Sequence, residues 1–372
     1  MNKTTLLGSS LLFCAGAATA ADYQVETLAD GLSNPWSLAF LPDGGMLVTE
    51  RSGQLRLIDA AGQLRAEPVA GVPEAFVNGQ SGLMEVALAP DFAESGELFL
   101  SYSCGTRDAN HTCLAAATFN GEALENTHEI FRVQPAKKGS AHYGGRIAFL
   151  PDNTLLLTLG DGFDYREQAQ NTANHLGSIV RLSRDGSAPE DNPFVGQADA
   201  MPELYSIGHR NVQGILVDDA GRVFSHEHGP RARRDQPDRG WQELRLAEDY
   251  LRHRLQRLAD LALYRAAGPG AAAGLLGSVH RAVRHDPVSG RAVPRVAGQS
   301  AGVGAGGKEV RRVELKGNAA GEQESLFAEL DQRFRDVRTG PDGAVYLLTT
   351  ARAASCCGWC RPTDQPPVTR WR

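Results

Sequence analysis

The stretch Leu38-Ala-Phe-Leu-Pro-Asp-Gly44 decides the fold, because this phrase returns along the chain. It joins a short apolar run to a turn, and a second strand-like run follows. Its variants are Val86-Ala-Leu-Ala-Pro-Asp91, Ile147-Ala-Phe-Leu-Pro-Asp-Asn153, Ile215-Leu-Val-Asp-Asp-Ala-Gly221 and Val337-Arg-Thr-Gly-Pro-Asp-Gly343. The copies lie about 50 to 70 residues apart, and a last step of about 120 leaves room for one missing copy near residue 280. This spacing predicts an all-β, six-bladed β-propeller with four-stranded blades.

Length and charge are consistent with that fold. A propeller can take up most of the 372 residues as one domain, which we place at 21–372, because each blade packs only on its neighbours. The 41 glycines suit a protein rich in turns, and the net charge of −6 gives no reason to expect nucleic acid as a partner.

Residues 1–20 have the pattern of a signal peptide. Lys3 supplies the positive end, an apolar stretch follows, and Ala18-Thr-Ala20 forms a small-residue cleavage site. The stretch is too short to span a membrane, and no other segment is long enough, so we predict no membrane span. Because a signal peptide directs export, we predict a periplasmic location. In that oxidising compartment we predict that Cys104 and Cys113 form a disulfide; the alternative is two free thiols.

Two segments break the pattern, at about 231–307 and 351–372. In the first, strand alternation is lost and runs of Arg, Ala and Gly dominate. One interpretation is a helical insertion at 241–265, where Leu recurs at helical spacing. Our preferred interpretation is translation out of frame, because a one-nucleotide shift can encode a string with alternation, aromatics and turn residues. We therefore expect the fifth blade and the C-terminal closing strand to be disrupted, and Cys356, Cys357 and Cys360 to be no metal site.

The in-frame segments, 25–231 and 308–350, carry a series of specific phrases. They are Gly31-Leu-Ser-Asn-Pro-Trp-Ser-Leu-Ala-Phe40, Val48-Thr-Glu-Arg51, Gly79-Gln-Ser-Gly-Leu-Met-Glu85, His142-Tyr-Gly-Gly-Arg146, Gly160-Asp161, Gly208-His-Arg-Asn-Val-Gln-Gly214, Glu227-His-Gly-Pro-Arg231 and Arg333-Phe-Arg-Asp-Val-Arg338. In order and number they resemble the soluble sugar dehydrogenases that depend on pyrroloquinoline quinone (PQQ), the glucose/sorbosone dehydrogenase family. The resemblance implies a six-bladed propeller that oxidises aldose sugars at C1 to lactones with PQQ and Ca²⁺. It also implies an unidentified electron acceptor and a monomer or homodimer.

Oxidation at C1 removes a hydroxyl proton and a hydride, and amino acids offer no hydride acceptor, so a cofactor is required. The protein must supply a base, and the resemblance assigns that role to His142, just before a predicted inner strand. The neighbouring Gly144 and Gly145 are expected to leave space for a ligand. By the same resemblance Asp161, which follows the next strand, orients the imidazole.

The resemblance also names the cofactor contacts. They are Gln80, Arg210, Asn211, Lys308, Arg333 and Arg335. Arginine suits a planar ring with three carboxylates, because it forms forked hydrogen bonds and stacks. Arg333 and Arg335 alternate on one predicted strand, so both side chains are expected on one face.

Gly229 and Pro230 match the carbonyl ligands of the Ca²⁺ that contacts PQQ in the family. Further acidic and tyrosine ligands appear only in the shifted frame. Two other hypotheses remain open: a non-enzymatic propeller that binds sugars or a protein, and a lactonase-type metal hydrolase. The hydrolase would need several inward Asp, Glu and Asn ligands, whereas the residues singled out here are a His and several Arg.

Overall fold

The computed structural model describes residues 25–217, 221–227, 299–303, 310–316, 319–350 and 368–371. Within these ranges the chain is almost entirely strand, with one short helix, α1 (Phe92–Ser95), and two single 3₁₀ turns, Arg166–Gln170 and Ala328–Leu330. None of the described helices has the length and apolarity needed to cross a bilayer.

The strands form six antiparallel sheets, which we call blades 1 to 6. Blade 1 contains β2 (Pro35–Phe40), β3 (Met46–Glu50) and β4 (Gln54–Ile58). Blade 2 contains β5 (Leu83–Leu88), β6 (Glu97–Gly105), β7 (Asn110–Phe119) and β8 (Leu124–Arg132). Blade 3 contains β9 (Gly144–Phe149), β10 (Leu155–Leu159), β11 (Ser178–Leu182) and β12 (Leu204–Ile207). Blade 4 contains β13 (Val212–Val217) and β14 (Val223–Glu227); blade 5 contains β15 (Gln299–Val303), β16 (Val310–Lys316) and β17 (Ala319–Leu326); blade 6 contains β18 (Arg333–Thr339), β19 (Val345–Thr350), β20 (Val368–Trp371) and β1 (Val25–Ala29). The all-β architecture and the six blades are as predicted.

Each copy of the repeated phrase lies in the first part of a blade. It covers the end of the blade's first strand and the start of the turn that leads to the second strand. In blade 1, Gly44 N donates to Leu41 O at 3.0 Å and Leu41 N donates to Gly45 O at 2.8 Å, which closes the turn between β2 and β3. Gly44 has a φ of +90°, a conformation that glycine adopts without steric cost. The turn chemistry that suggested the repeat is therefore what connects successive strands.

Consecutive blades pack face to face. On β10, Leu155 and Leu157 belong to the core shared with blade 2, whereas Leu156 belongs to the core shared with blade 4. Alternate residues of a strand point to opposite faces, so one buried strand serves two interfaces. The described residues contain such cores between blades 1 and 2, 5 and 6, and 6 and 1 as well. The blades thus stabilise one another in chain order.

The closing blade joins the two ends of the described chain. β20 pairs with both β1 and β19, so within blade 6 Val368–Trp371 lies between the N-terminal strand β1 and β19. This differs from the expectation that the closing strand is lost, and Gln299–Val303 likewise pairs with β16 inside the segment that breaks the repeat. Ladder hydrogen bonds are made by the main chain, so an atypical sequence can still occupy such a position. The predicted signal peptide and the rest of the two aberrant segments lie outside the described residues.

One prediction from the cysteines is confirmed. Cys104 on β6 and Cys113 on β7 form a disulfide, with their Cα atoms 6.0 Å apart. Glu129 lies next to this pair, but both sulfur atoms are occupied by the bond and are not free to hold a metal ion.

A buried ion cluster lies where the first strands of the blades meet. It consists of Glu85 on β5, Arg146 on β9, and Asp336 and Arg338 on β18. Arg146 Nη1 lies 2.8 Å from a Glu85 oxygen and 3.1 Å from Asp336 Oδ1, and Arg338 Nε lies 2.7 Å from Asp336 Oδ2. The cluster holds two carboxylates and two guanidinium groups, so its charges balance.

Candidate active site

A pocket with a cavity of about 120 Å³ opens at one end of these inner strands. Its walls come from the beginnings of β2, β9, β13 and β18 and from the loops beside them. The lining residues are Asn34, Pro35, Trp36, Arg51, Gln80, Met84, Tyr143, Gly144, Asn211, Gln213, Arg333, Arg335 and Thr350. Because the inner strands all start at this end, residues far apart in the sequence converge here.

Arginines dominate the charge of the pocket. Arg51, Arg333 and Arg335 all line it, and no carboxylate appears among the lining residues that the structure describes. Burial, and then the neighbouring charges of Arg146 and Arg333, hold the pKa of Arg335 well below its usual range. Burial and then Arg51 also lower the pKa of Arg333. The pocket therefore carries positive charge that these residues do not neutralise.

Arg335 is the most constrained of the three. Its guanidinium carbon lies 4.0 Å from the centroid of the Trp36 ring, and its Nη1 donates to Gln213 Oε1 at 3.0 Å. Its Nε is buried and has no hydrogen-bond partner among the described residues. A buried donor without a partner is costly. An acceptor supplied by a ligand in the pocket would satisfy it.

His142 and Asp161 form a hydrogen-bonded pair beside the pocket. The imidazole Nδ1 lies 2.7 Å from Asp161 Oδ1. His142 precedes β9 with a φ of +54°, and Asp161 follows β10, so adjacent strands bring the two side chains together. Burial alone would raise the pKa of Asp161, but hydrogen bonds from His142 and Phe163 N, together with the charge of Arg210, lower it. The Asp161 carboxyl is therefore an anion that fixes the ring.

Glu227 holds the loop that carries Arg210 and Asn211. Its carboxylate accepts from Arg210 N at 2.7 Å and from Asn211 N at 3.3 Å, and it lies 2.7 Å from His209 Nδ1. Burial would raise the pKa of Glu227, but His209 and the two backbone donors outweigh burial and lower it. The Arg210 side chain turns to Asp161, with which it forms an ion pair.

Hydrogen bonds connect the pocket to the pair. Gln80 Oε1 accepts from His142 N at 2.9 Å, and Asn211 Oδ1 accepts from Gly144 N at 3.0 Å. Gly144 lines the pocket, but a Cβ there would lie 2.7 Å from Leu159 N, so its missing side chain makes room for the backbone of β10 and not for a ligand. The expectation is also wrong for Gly145, because a Cβ there would lie 2.7 Å from Met84 Sδ. Its missing side chain makes room for Met84.

The predicted site residues fall into two adjoining groups. Gln80, Asn211, Arg333 and Arg335 line the pocket, whereas His142, Asp161 and Arg210 lie beside it. Arg333 and Arg335 share one face of β18, as their alternation predicted. Lys308, Gly229 and Pro230 lie outside the described residues.

Sequence reasoning did not single out several members of the site. They are Trp36, Arg51, Gln213 and Glu227. Trp36 and Arg51 lie in sequence phrases that carried the family resemblance, and those phrases could have identified them as members of the site. Their convergence with β18 depends on ring closure, which no local pattern encodes.

A buried lysine lies behind the pair. Lys137 Nζ is 3.5 Å from the centroid of the Tyr143 ring and has no hydrogen-bond partner among the described residues. Burial lowers the pKa of Lys137 to about 8, although the charge of Asp161 opposes the shift. Burial also raises the pKa of Tyr143 to about 12. No sequence pattern distinguished this lysine from Lys138.

Known proteins resemble this chain over nearly its whole length. The sequence profile described as Glucose / Sorbosone dehydrogenase matches residues 32–357. An aldose sugar dehydrogenase of Escherichia coli (strain K12) is 34% identical over 357 residues, which cover 89% of this chain and 91% of that protein. The apo crystal structure of the soluble aldose sugar dehydrogenase from Escherichia coli has a TM-score of 0.73 at 27% identity, covering 94% of this chain and 99% of that one. The PQQ-bound form of an aldose sugar dehydrogenase from Streptomyces coelicolor has a TM-score of 0.65 at 26% identity, covering 95% and 99%.

Proposed function

Because the chain belongs to the glucose/sorbosone dehydrogenase family, we propose that it is a PQQ-dependent enzyme that oxidises aldose sugars at C1 to lactones. The observation that carries this proposal is the excess positive charge of the arginine pocket beside a His–Asp pair. We also propose a periplasmic location, from the N-terminal signal pattern.

The pocket residues fit PQQ. The cofactor is planar and carries three carboxylates, and three arginines line a pocket in which the described residues supply no counter-charge. The buried Nε of Arg335 lacks an acceptor, which a carboxylate would provide. The amides of Gln80 and Asn211 offer hydrogen bonds, and the Trp36 ring holds the Arg335 guanidinium, which lies 4.0 Å from its centroid. Lys308, outside the described residues, is a further proposed contact.

When bound, PQQ supplies the acceptor for the hydride that leaves C1 of the sugar. His142 acts as the base. An ionised Asp161 can only accept at His142 Nδ1, so Nδ1 carries the proton and Nε2 is free to take the proton of the C1 hydroxyl. As His142 becomes positively charged, Asp161 stabilises the imidazolium, and the ion pair with Arg210 holds that carboxylate in place.

Ca²⁺ is the second proposed cofactor, held by the backbone carbonyls of Gly229 and Pro230. Glu227 lies two residues before this dipeptide and fixes the Arg210 loop, so the same segment would join cation and cofactor contacts. Chelation of Ca²⁺ followed by dialysis should remove activity, and added Ca²⁺ should restore it.

We further propose that this copy is impaired, because the segments at 231–307 and 351–372 depart from the family pattern. A small displacement of cofactor or base costs much of their effect. The test compares this chain with a version in which both segments are restored to the alternative frame. Both are loaded with PQQ and Ca²⁺ and assayed with glucose and an artificial dye. Equal activity would show that the segments are tolerated.

The function itself is tested in the frame-restored protein. The parent should reduce the dye with glucose, and His142→Ala should lower the rate by about 10²–10⁴-fold while PQQ absorbance on the protein is retained. His128→Ala is the matched control, because His128 is exposed and lies outside the pocket. Activity of His142→Ala within a few-fold of the parent would remove His142 from the role of base. Sugar binding without any dye reduction in the parent would instead favour a non-enzymatic propeller.

A further inference from the structure

Phe163 is an exposed aromatic side chain at the His142–Asp161 pair. Four large hydrophobic residues of the described chain are exposed, and Phe163, at 48%, is the aromatic one. Its ring meets the imidazole of His142 edge to face, with centroids 5.0 Å apart and an interplanar angle of 75°. A single exposed hydrophobic residue is ordinary on a protein surface. What needs an explanation is its contact with His142, the proposed base.

The backbone at Phe163 is strained. Its φ is +72°, in the left-handed region that costs a residue with a Cβ about 1–2 kcal/mol. Two contacts with the site hold it there: Phe163 N donates to Asp161 Oδ1 at 2.8 Å, and Arg210 Nη1 donates to Phe163 O at 3.2 Å. Strain of this kind persists where the surroundings impose it, and it concentrates at functional sites.

The same contacts couple the ring to the chemistry. Asp161 Oδ1 receives hydrogen bonds both from Phe163 N and from the imidazole, so one oxygen positions the base and the aromatic ring together. The Arg210 guanidinium carbon lies 5.3 Å from the centroid of the ring. The aromatic surface is thus held at a fixed distance from the atom that is to take the hydroxyl proton.

An aromatic face is negative in its π-system and attracts the positive C–H groups of a pyranose. During oxidation the C1 hydrogen must point to the hydride acceptor, so the ring face that carries this hydrogen is occupied. In β-glucopyranose the opposite face presents axial hydrogens at C2 and C4. Mannose places an axial hydroxyl at C2 on that face and galactose places one at C4, and both interrupt the apolar surface.

We propose that Phe163 is a specificity-determining residue on which the sugar ring stacks, with the face that carries the axial hydrogens at C2 and C4 of glucose against the aromatic ring. This inference rests on the function proposed above and deepens it. The favoured substrates are aldopyranoses with no axial hydroxyl on that face.

The test uses the frame-restored protein, which is the parent of the variants below, loaded with PQQ and Ca²⁺, and follows dye reduction with glucose, mannose and galactose. Phe163→Gly should lower kcat/KM for glucose by about 5-fold, mainly through KM, with a smaller loss for the two epimers, because an aromatic contact of this kind is worth about 1 kcal/mol. Phe163→Tyr should keep the parent's preference, because it keeps the ring. Val195→Ala, another exposed hydrophobic residue, is the control and should change neither value.

Two further measurements separate this role from a structural one. Phe163→Gly removes the strained φ, so its Tm should be unchanged or higher by about 1–3 °C even as sugar affinity falls. Saturation-transfer NMR with methyl β-glucoside, irradiating aromatic protons, should reach H2 and H4 in the parent more strongly than in the variant. A parent that oxidises glucose, with a glucose-to-mannose ratio unaltered in Phe163→Gly, would overturn this inference alone. A parent that reduces no dye with any aldose would overturn the proposed function and this inference together.

Discussion

Two arginines of the same strand, Arg335 and Arg338, lie in opposite electrostatic surroundings. Both are on β18, three residues apart; Arg338 is buried, whereas Arg335 is half-buried. Burial lowers the pKa of Arg338, but the carboxylates of Asp336 and Glu85 outweigh it and raise the value overall. At Arg335 the same two carboxylates also act to raise the pKa, but burial and the charges of Arg146 and Arg333 outweigh them, and the pKa falls well below its usual range.

The difference separates a structural charge cluster from a ligand site. The cluster of Glu85, Arg146, Asp336 and Arg338 is balanced and joins the inner strands of blades 2, 3 and 6. The pocket of Arg51, Arg333 and Arg335 is not balanced by any described lining residue. Buried charge without a partner is unfavourable unless something else pairs with it. The unbalanced group is therefore the one that awaits an anion.

The largest effect is expected from breaking the balanced cluster. Glu85→Gln removes one of the two carboxylates and leaves Arg146 and Arg338 with a single buried counter-charge. The free energy of unfolding should fall by about 3–5 kcal/mol, measured by urea titration. Glu94→Gln on the exposed side of α1 is the control and should shift it by less than about 0.5 kcal/mol. A loss below about 1 kcal/mol for Glu85→Gln would mean that the cluster does not act as a unit.

Removing the charge of Arg335, in the unbalanced pocket, should change the free energy of unfolding in the opposite direction. Arg335→Met keeps the length of the side chain but removes a buried charge that is repelled by Arg146 and Arg333. Without cofactor, the variant should be more stable than the parent by about 2–3 kcal/mol in the same titration. Arg338→Met should be less stable than the parent. If both variants change stability in the same direction, the distinction between the two arginines fails.

Lys137 is another buried cation whose pKa is lowered, and it allows the same effect to be tested by changing the pH. Its pKa is about 8 in the folded chain against 10.5 ordinarily, so the unfolded chain binds more protons between pH 8 and 10.5. The free energy of unfolding of the parent therefore rises with pH across this window, relative to that of Lys137→Met. Tyr143, whose pKa is about 12 in the folded chain against 10.0 ordinarily, contributes to the profiles of both proteins, so the comparison of parent and variant isolates Lys137.

At pH 7 Lys137→Met should be more stable by about 1–2 kcal/mol, because it removes the buried charge but also loses the contact with the Tyr143 ring. Urea titrations at pH 7, 8.5 and 10 check both statements. Parallel pH profiles for parent and variant would show that Lys137 does not change its charge in this range.

The smallest effect concerns a simple anion. A tricarboxylate such as citrate should raise the unfolding free energy of the parent by about 1 kcal/mol at about five times its dissociation constant. Sodium chloride at the same ionic strength should not. Arg335→Met should lose the response to citrate, whereas Arg132→Met, at an exposed pair on blade 2, should keep it. Equal responses in all three proteins would point to a general salt effect.

The sequence predicted the fold well because the relevant signals are local. A Pro-Asp-Gly turn such as that at Gly44 needs only neighbouring residues to specify a hairpin. The pairing of His142 with Asp161 was implied by the family resemblance, and the structure brings the two together because each lies at the end of one of two adjacent strands. Disulfide pairing of Cys104 with Cys113 came from the same kind of local argument.

The contrast between Arg335 and Arg338 could not be predicted in this way. Arg338 is neutralised by Glu85, which lies 253 residues away in the sequence. Arg335 contacts Gln213, 122 residues away, and Trp36 in another blade. Asp336, two residues from Arg338 on the same strand, supplies one of its carboxylate partners, but the second partner, Glu85, is supplied only by the closed ring. The expectation that Gly145 leaves space for a ligand was wrong for a similar reason, because Met84 fills the space beside Gly145.

The most direct test is the binding of PQQ to the frame-restored parent and to its Arg335→Met and Arg132→Met variants, measured by isothermal titration calorimetry with Ca²⁺ present. Charge-assisted hydrogen bonds are worth about 1.5–3 kcal/mol, so Arg335→Met should bind PQQ about 10- to 100-fold more weakly than the parent. Arg132→Met should match the parent. An unchanged affinity in Arg335→Met would contradict the claim that the unbalanced arginines form the cofactor site.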